Sequence, residues 1–101
     1  MHASNVIAAA LVAAFLPAAA HASAELAASK ACLACHSTDK KLIGPAFKDV
    51  AAKYKGSPDG EKQMVRSILE GSSGKWGPIP MPANRVSEAE AGALARWVLS
   101  L

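Results

Sequence analysis

A chain of 101 residues holds one domain at most. Its formal net charge of +3 is too small a surplus to argue for a nucleic-acid partner, and no basic run carries interleaved aromatic residues. Its two cysteines both fall in one short motif, so none remains for a structural disulfide.

Residues 1–22 contain no Lys, Arg, Asp or Glu, carry an apolar run over 6–16 and end in Ala20-His21-Ala22, an A-x-A pattern. This is the make-up of a secretory signal peptide, although His2 stands where a Lys or Arg is usual. Cleavage is expected before Ser23, which leaves residues 23–101 as the mature domain. Even extended to Ala20, the apolar run is shorter than the ~20 residues of a membrane-spanning helix, and Pro17 interrupts it. No stable membrane insertion is therefore expected. The mature part has a length at which an apolar core alone is marginal and a bound cofactor helps.

Ser23 reads as a helix N-cap with Glu25 in the first turn, and residues 24–30 are good helix formers. That helix leads into Cys32-Leu33-Ala34-Cys35-His36, a C-x-x-C-H run of the kind that attaches a c-type haem. Two thiols three residues apart can each add across a haem vinyl group, and the adjacent imidazole then falls beneath the iron. A thioredoxin-like pair would need a βαβ surround and a zinc site two further ligands, and the chain supplies neither. Export agrees with this reading, because thioether attachment takes place outside the bacterial cytoplasm.

Beyond the motif, residues 37–41 form a polar loop, and Gly44-Pro45 stops regular structure and opens a helix. Phe47, Val50, Ala51 and Tyr54 share one apolar face of that helix, which is expected to end near Gly56. Ser57-Pro58-Asp59-Gly60 is a turn, and residues 61–70 make a third helix with Met64, Val65, Ile68 and Leu69 apolar. Gly71 closes it. Residues 72–86 hold Pro78, Pro80 and Pro82 and too little periodicity for helix or strand. The last helix opens on a capping box, Ser87 with Glu90, and buries Ala91, Leu94, Ala95 and Val98, with Trp97 expected against the N-terminal helix. The class is all-α.

A haem iron held by one imidazole is open to ligands, whereas a second protein ligand leaves electron transfer. His2 and His21 depart with the leader, so Met64 and Met81 are the candidates, with a lysine as a weaker one. Met64 lies on an apolar helical face, the usual setting of a core methionine. Met81 lies in Pro80-Met81-Pro82, where two prolines stiffen an irregular backbone.

Four separated stretches together resemble the small bacterial class I cytochromes c of the cytochrome c-551 type. They are Cys32-Leu33-Ala34-Cys35-His36, the run from Leu42-Ile43-Gly44-Pro45 to Ala51, the run from Lys75-Trp76-Gly77 to Pro82, and Ala95-Arg96-Trp97-Val98-Leu99-Ser100. The resemblance covers about residues 26–101. It implies four to five short helices around one haem c, attached through Cys32 and Cys35, with His36 and Met81 axial. It implies periplasmic electron shuttling with no substrate chemistry, and a monomer is expected. Its donor would be a cytochrome complex or copper protein, and its acceptor nitrite reductase or a terminal oxidase. It also implies that the Pro45 carbonyl holds the His36 ring, that Asn84 sits near the Met81 sulfur, and that Arg66 and the Trp76 indole face a haem propionate. The chain departs from such proteins at Ala27, where a larger apolar residue is frequent, at Ala31, where glycine is common, and at Ala83, where proline often follows Met-Pro. A small haem enzyme or gas-binding protein, with Met81 leaving the iron, is the competing reading. For partner contact the choice lies between scattered lysines (Lys30, Lys40, Lys41, Lys48, Lys53, Lys55 and Lys75) and an apolar rim formed by residues 77–80.

Overall fold

The computed structural model describes residues 18–101; the expected leader lies outside them except for 18–22. Four α-helices make up the fold: α1 (Ala18–Ser29), α2 (Phe47–Tyr54), α3 (Gly60–Glu70) and α4 (Glu88–Leu99). A single 3-10 turn, Cys32–Ala34, follows α1. Among the described residues there is no strand, only one antiparallel bridge between Ser72 and Met81, and no helix is long and apolar enough to cross a membrane.

Helix α1 begins earlier than the N-cap reading of Ser23 requires. Alanine is the strongest helix former, and Ala18-Ala19-Ala20-His21-Ala22 contains nothing to stop a helix from running through into Ser23. Ser23 therefore lies inside α1, buried, with its hydroxyl directed at the Ala93 carbonyl of α4 at 3.5 Å. The other end of α1 has a conformational cost. Ala31 takes φ 62° and ψ 18°, the left-handed region in which a Cβ crowds the following carbonyl, at about 1–2 kcal/mol. That turn redirects the chain into the cysteine motif.

The fold is assembled on α4, which packs against α1, α2 and α3. Its N-terminus is closed by the capping box: Glu90 N–H donates to Ser87 Oγ at 3.0 Å, and Ser87 N–H donates to Glu90 Oε1 at 2.9 Å. The second of these bonds holds the Glu90 carboxyl below its ordinary pKa, and nearby Lys30 adds to the effect. Its contribution to stability is therefore present above the unfolded carboxylate pKa and is lost as pH falls through the lowered folded value.

Ala27 of α1 and Ala91 and Ala95 of α4 are all fully buried, so the two helices meet over small side chains. Phe47, Ala51 and Tyr54 of α2, Met64 of α3, and Ala95 and Val98 of α4 form the core cluster. Trp97 meets Phe47 of α2 edge to face, with ring centroids 5.4 Å apart. Ion pairs join Arg96 to Glu61 at 3.0 Å and Lys30 to Glu90 at 4.0 Å, both near the surface and worth at most about 1 kcal/mol each.

Replacing the strained residue should help the fold. Ala31→Gly relieves the left-handed strain and gives back part of that gain through the freer unfolded chain, for a net increase in stability of about 0.5–1 kcal/mol. Urea unfolding at unchanged m-value measures it, and a loss of stability would show that the turn is not strained.

Candidate haem-binding site

The cysteine motif is shaped by its own backbone. Cys35 N–H and His36 N–H both donate to the Cys32 carbonyl, at 3.2 and 2.9 Å, and curl the motif into a tight turn. Both thiols are free and half-buried. Burial raises the Cys32 thiol pKa, a hydrogen bond from its own backbone partly offsets this, and neighbouring Cys35 raises it further. A thiol kept protonated is a poor match to a disulfide-exchange nucleophile, which needs a lowered pKa.

His36 is held on three sides. Its Nδ1 donates to the Pro45 carbonyl at 2.7 Å, which fixes the tautomer and leaves the lone pair of Nε2 to bind a metal. Its ring stacks on Phe47 with centroids 4.9 Å apart and an interplanar angle of 20°. Gly44 backs the third side: a Cβ there would lie 2.6 Å from His36 Cε1 and 2.9 Å from Nδ1. The loop that carries Gly44 and Pro45 is folded back onto the motif by Gly44 N–H to the Cys35 carbonyl at 2.8 Å and Phe47 N–H to the Ser37 carbonyl at 2.9 Å.

Cys35 and His36 form one part of the wall of a single large cavity, whose lining is mostly apolar. Val50 and Tyr54 of α2, Met64 and Ile68 of α3 and Met81 of the long loop form much of the remainder. Met64 is buried in the core cluster as well, whereas Met81 is half-buried on an irregular backbone paired only with Ser72. Trp76 stands at the cavity rim, and Lys53 of α2 sets its ammonium 4.6 Å from the centre of the Trp76 ring, a cation–π contact.

Two residues that the resemblance aims at the haem are not among those that line the cavity. Arg66 is not part of the cavity wall; it is largely exposed and its Nε pairs with Glu70 at 3.3 Å. At ~100° per residue it sits about 200° around α3 from both Met64 and Ile68, which point inward. Asn84 also lies outside the lining. Its Nδ2 donates to the carbonyls of Ile68 at 3.0 Å and Pro82 at 3.3 Å, and its backbone N–H donates to Ile68 as well, at 3.0 Å. Ile68 is in the last turn of α3, whose carbonyls lack partners within the helix, and the asparagine meets that need. Gly44 and Phe47 were not singled out as site residues from the sequence, and Lys53 was named only among the scattered lysines. Only Gly44, directly before Pro45, carried a local signal, and that signal read as a break in regular structure.

The donor set suits a haem. Two free thiols, an imidazole with its Nε2 available, a thioether in an irregular segment and an apolar wall match the vinyl groups, iron and macrocycle in turn. Among the described residues no group of three or more His, Cys, Asp or Glu side chains converges as a cage for a bare metal ion. The Gly44 contact gives this arrangement a test. Because the His36 ring is pinned by Pro45 and Phe47 and cannot swing aside, Gly44→Ala should overpack the site and lower stability by about 1–3 kcal/mol in denaturant unfolding. An unchanged midpoint would mean that the ring is not held in this way.

Known proteins are similar to this chain in sequence and fold. Cytochrome c-551 of Pseudomonas denitrificans is 60% identical over 77 residues, spanning 76% of this chain and 94% of that protein. Cytochrome c-552 of Hydrogenobacter thermophilus is 46% identical over 80 residues, 79% of this chain and 82% of its own. The crystal structure of wild-type cytochrome c552 from Nitrosomonas europaea superposes with a TM-score of 0.75 at 51% identity, covering 77% of this chain and 98% of that one. The family described as Cytochrome c matches residues 20–101, from within α1 to the last residue of the sequence. By that match, and by relatives of this identity and coverage, the chain belongs to the cytochrome c family.

Proposed function

We propose that this monohaem electron carrier works in the periplasm, with His36 Nε2 and the Met81 thioether as the two axial ligands of a haem c bound to Cys32 and Cys35. The haem supplies a one-electron ferric–ferrous couple. The observation that carries the proposal is that His36 and Met81 belong to the wall of one cavity whose other residues are mostly apolar. With His36 and Met81 both bound to it, the iron would offer no position to a substrate, and the chain would need no proton donor or nucleophile. The Pro45 carbonyl makes His36 a stronger donor, and the apolar wall limits water at the iron. Export rests on the composition of residues 1–22 and on their A-x-A ending, with cleavage before Ser23. Trp76 at the cavity rim is the residue suited to face a propionate, with Lys53 fixing the ring. Arg66 could reach the rim only by leaving Glu70, a weak exposed pair.

Two measurements test this reading together. The exported protein should have the mass of residues 23–101 plus one haem that survives acid-acetone extraction. Met81→Ala should lower the reduction potential and let carbon monoxide or imidazole bind, because a thioether favours ferrous iron and its loss opens a position. Met64→Leu should do neither; the reverse pattern would move the sixth ligand to Met64.

Partners are redox proteins. We assign donors of the cytochrome-complex or copper-protein kind and acceptors of the nitrite reductase or terminal oxidase kind. Leu42, Ile43, Trp76 and Ile79 are exposed apolar side chains, and all four also line the cavity, so they gather around its mouth. Ile79 is the most exposed of them, at 61%. An apolar contact responds little to salt, whereas steering by lysines is screened beyond ~8 Å at physiological ionic strength. Electron exchange with the native partner should therefore depend weakly on ionic strength and fall sharply in Ile79→Asp, while Lys75→Ala changes it little. A rate that collapses with salt and ignores Ile79→Asp would assign the contact to the lysines.

A further inference from the structure

We infer that Gly71 is the positioning residue for Met81, a role that rests on the reading of Met81 as the distal ligand. Gly71 follows α3 directly and takes φ 81° and ψ 174°, a combination essentially confined to glycine. A Cβ on Gly71 would lie 2.6 Å from the Met81 carbonyl oxygen, 2.9 Å from Ala83 N and 3.1 Å from the Pro82 carbonyl carbon. All three atoms are backbone, so none can swing away as a side-chain tip could. The absence of a side chain is what lets residues 81–83 lie against the end of α3.

Hydrogen bonds lock that approach. Gly71 N–H donates to the Ser67 carbonyl at 2.9 Å, and Ser72 and Met81 exchange reciprocal backbone bonds of 3.0 and 2.8 Å. Asn84 adds its backbone and side-chain bonds to the Ile68 carbonyl. Met81 is thus referenced to the last turn of α3. The exposed stretch 73–80 does not set its position, because its ties are peripheral: Lys75 to Ser67 Oγ at 3.2 Å, and Lys53 against Trp76. A ligand whose backbone is already fixed loses little freedom on binding iron, so a displaced backbone weakens the iron–sulfur bond without touching either atom.

Gly74 supplies the control. It too has positive φ, at 75°, but a Cβ there would meet nothing within 4 Å. Gly74→Ala introduces backbone strain into the same loop without a collision against Met81. The experiment compares wild type, Gly71→Ala, Gly74→Ala and Met81→Ala as ferric holoproteins, reading imidazole affinity and the Met-to-ferric-haem charge-transfer band. Gly71→Ala should bind imidazole about tenfold more tightly than wild type and lose intensity in the band, with Gly74→Ala within about twofold of wild type. Equal behaviour of the two glycine variants, with Met81→Ala binding tightly, would overturn this role and leave the ligand assignment standing. Met81→Ala binding no more tightly than wild type would overturn both. If Gly71→Ala yields no holoprotein, amide hydrogen exchange in the wild type decides. Ser72 and Met81 amides that exchange together with the Gly71 amide support the role. Exchange of either at the rate of the 73–80 loop overturns it.

Discussion

The 2.7 Å hydrogen bond from His36 Nδ1 to the Pro45 carbonyl joins the chemistry of this chain to its fold. To offer that carbonyl, the loop after the motif must double back, and the bonds from Gly44 to Cys35 and from Phe47 to Ser37 make it do so. Where the loop doubles back, α2 begins, so the same constraint sets Phe47 against the His36 ring and in a T-shaped contact with Trp97. From there the packing runs through the core cluster into α4, on which the other helices lie. The ring orientation that an axial histidine requires is therefore carried by a chain of backbone bonds and aromatic contacts that reaches the C-terminal helix. Disturbance of either end would be felt at the other.

Much of this was legible in the sequence, because the signals involved are local. The 3.6-residue spacing of Phe47, Val50, Ala51 and Tyr54 and of Ala91, Leu94, Ala95 and Val98 placed the buried faces, and Ser87 with Glu90 marked the start of α4. The motif Cys32-Leu33-Ala34-Cys35-His36 identified the chemistry for the same reason. The departure at the start of α1 arose where two influences competed. Ser23 is a good cap residue, but the alanines before it are better helix formers, and α1 runs past it. Asn84, read toward the Met81 sulfur, gives its backbone and side-chain donors to the Ile68 carbonyl near the end of α3 and a further side-chain bond to Pro82.

Backbone, more than side chain, decides where the two methionine and histidine groups stand. Gly44 and Gly71 are close approaches of main chain to the two halves of the site, one against an imidazole and the other against the peptide bonds of residues 81–83. In the sequence both glycines read as punctuation, the end of one element or the start of another, because a glycine's effect on a distant segment leaves no local pattern. Ala31 is the converse case. Its left-handed conformation would suit a glycine, and the strain it carries is tolerated beside a turn that cross-linking of Cys32 and Cys35 to one group would hold in place.

The composition of the core explains why such a chain depends on its cofactor. Of the buried apolar residues, Ala27, Ala46, Ala51, Ala91 and Ala95 contribute only a methyl group each, and among the described residues no large side chain is fully buried. A core of this kind removes little apolar surface from water, and the conformational entropy of ordering the chain is not reduced in proportion. The apolar surface that is missing from the side chains is present instead as the cavity wall, where Val50, Tyr54, Met64, Ile68 and Val98 face inward around a common space. A flat apolar group bound there would bury those walls at once and bring α2, α3 and α4 onto one surface. Attached covalently, such a group stays with the chain when it unfolds, so what it adds to folding stability is the contact made only in the folded state, its burial against the cavity wall and its ligation by the chain. The small residues between α1 and α4 then have a clear reason. With the bulk of the core supplied by the cofactor, those helices are free to approach closely and carry the cysteine motif to the cavity edge.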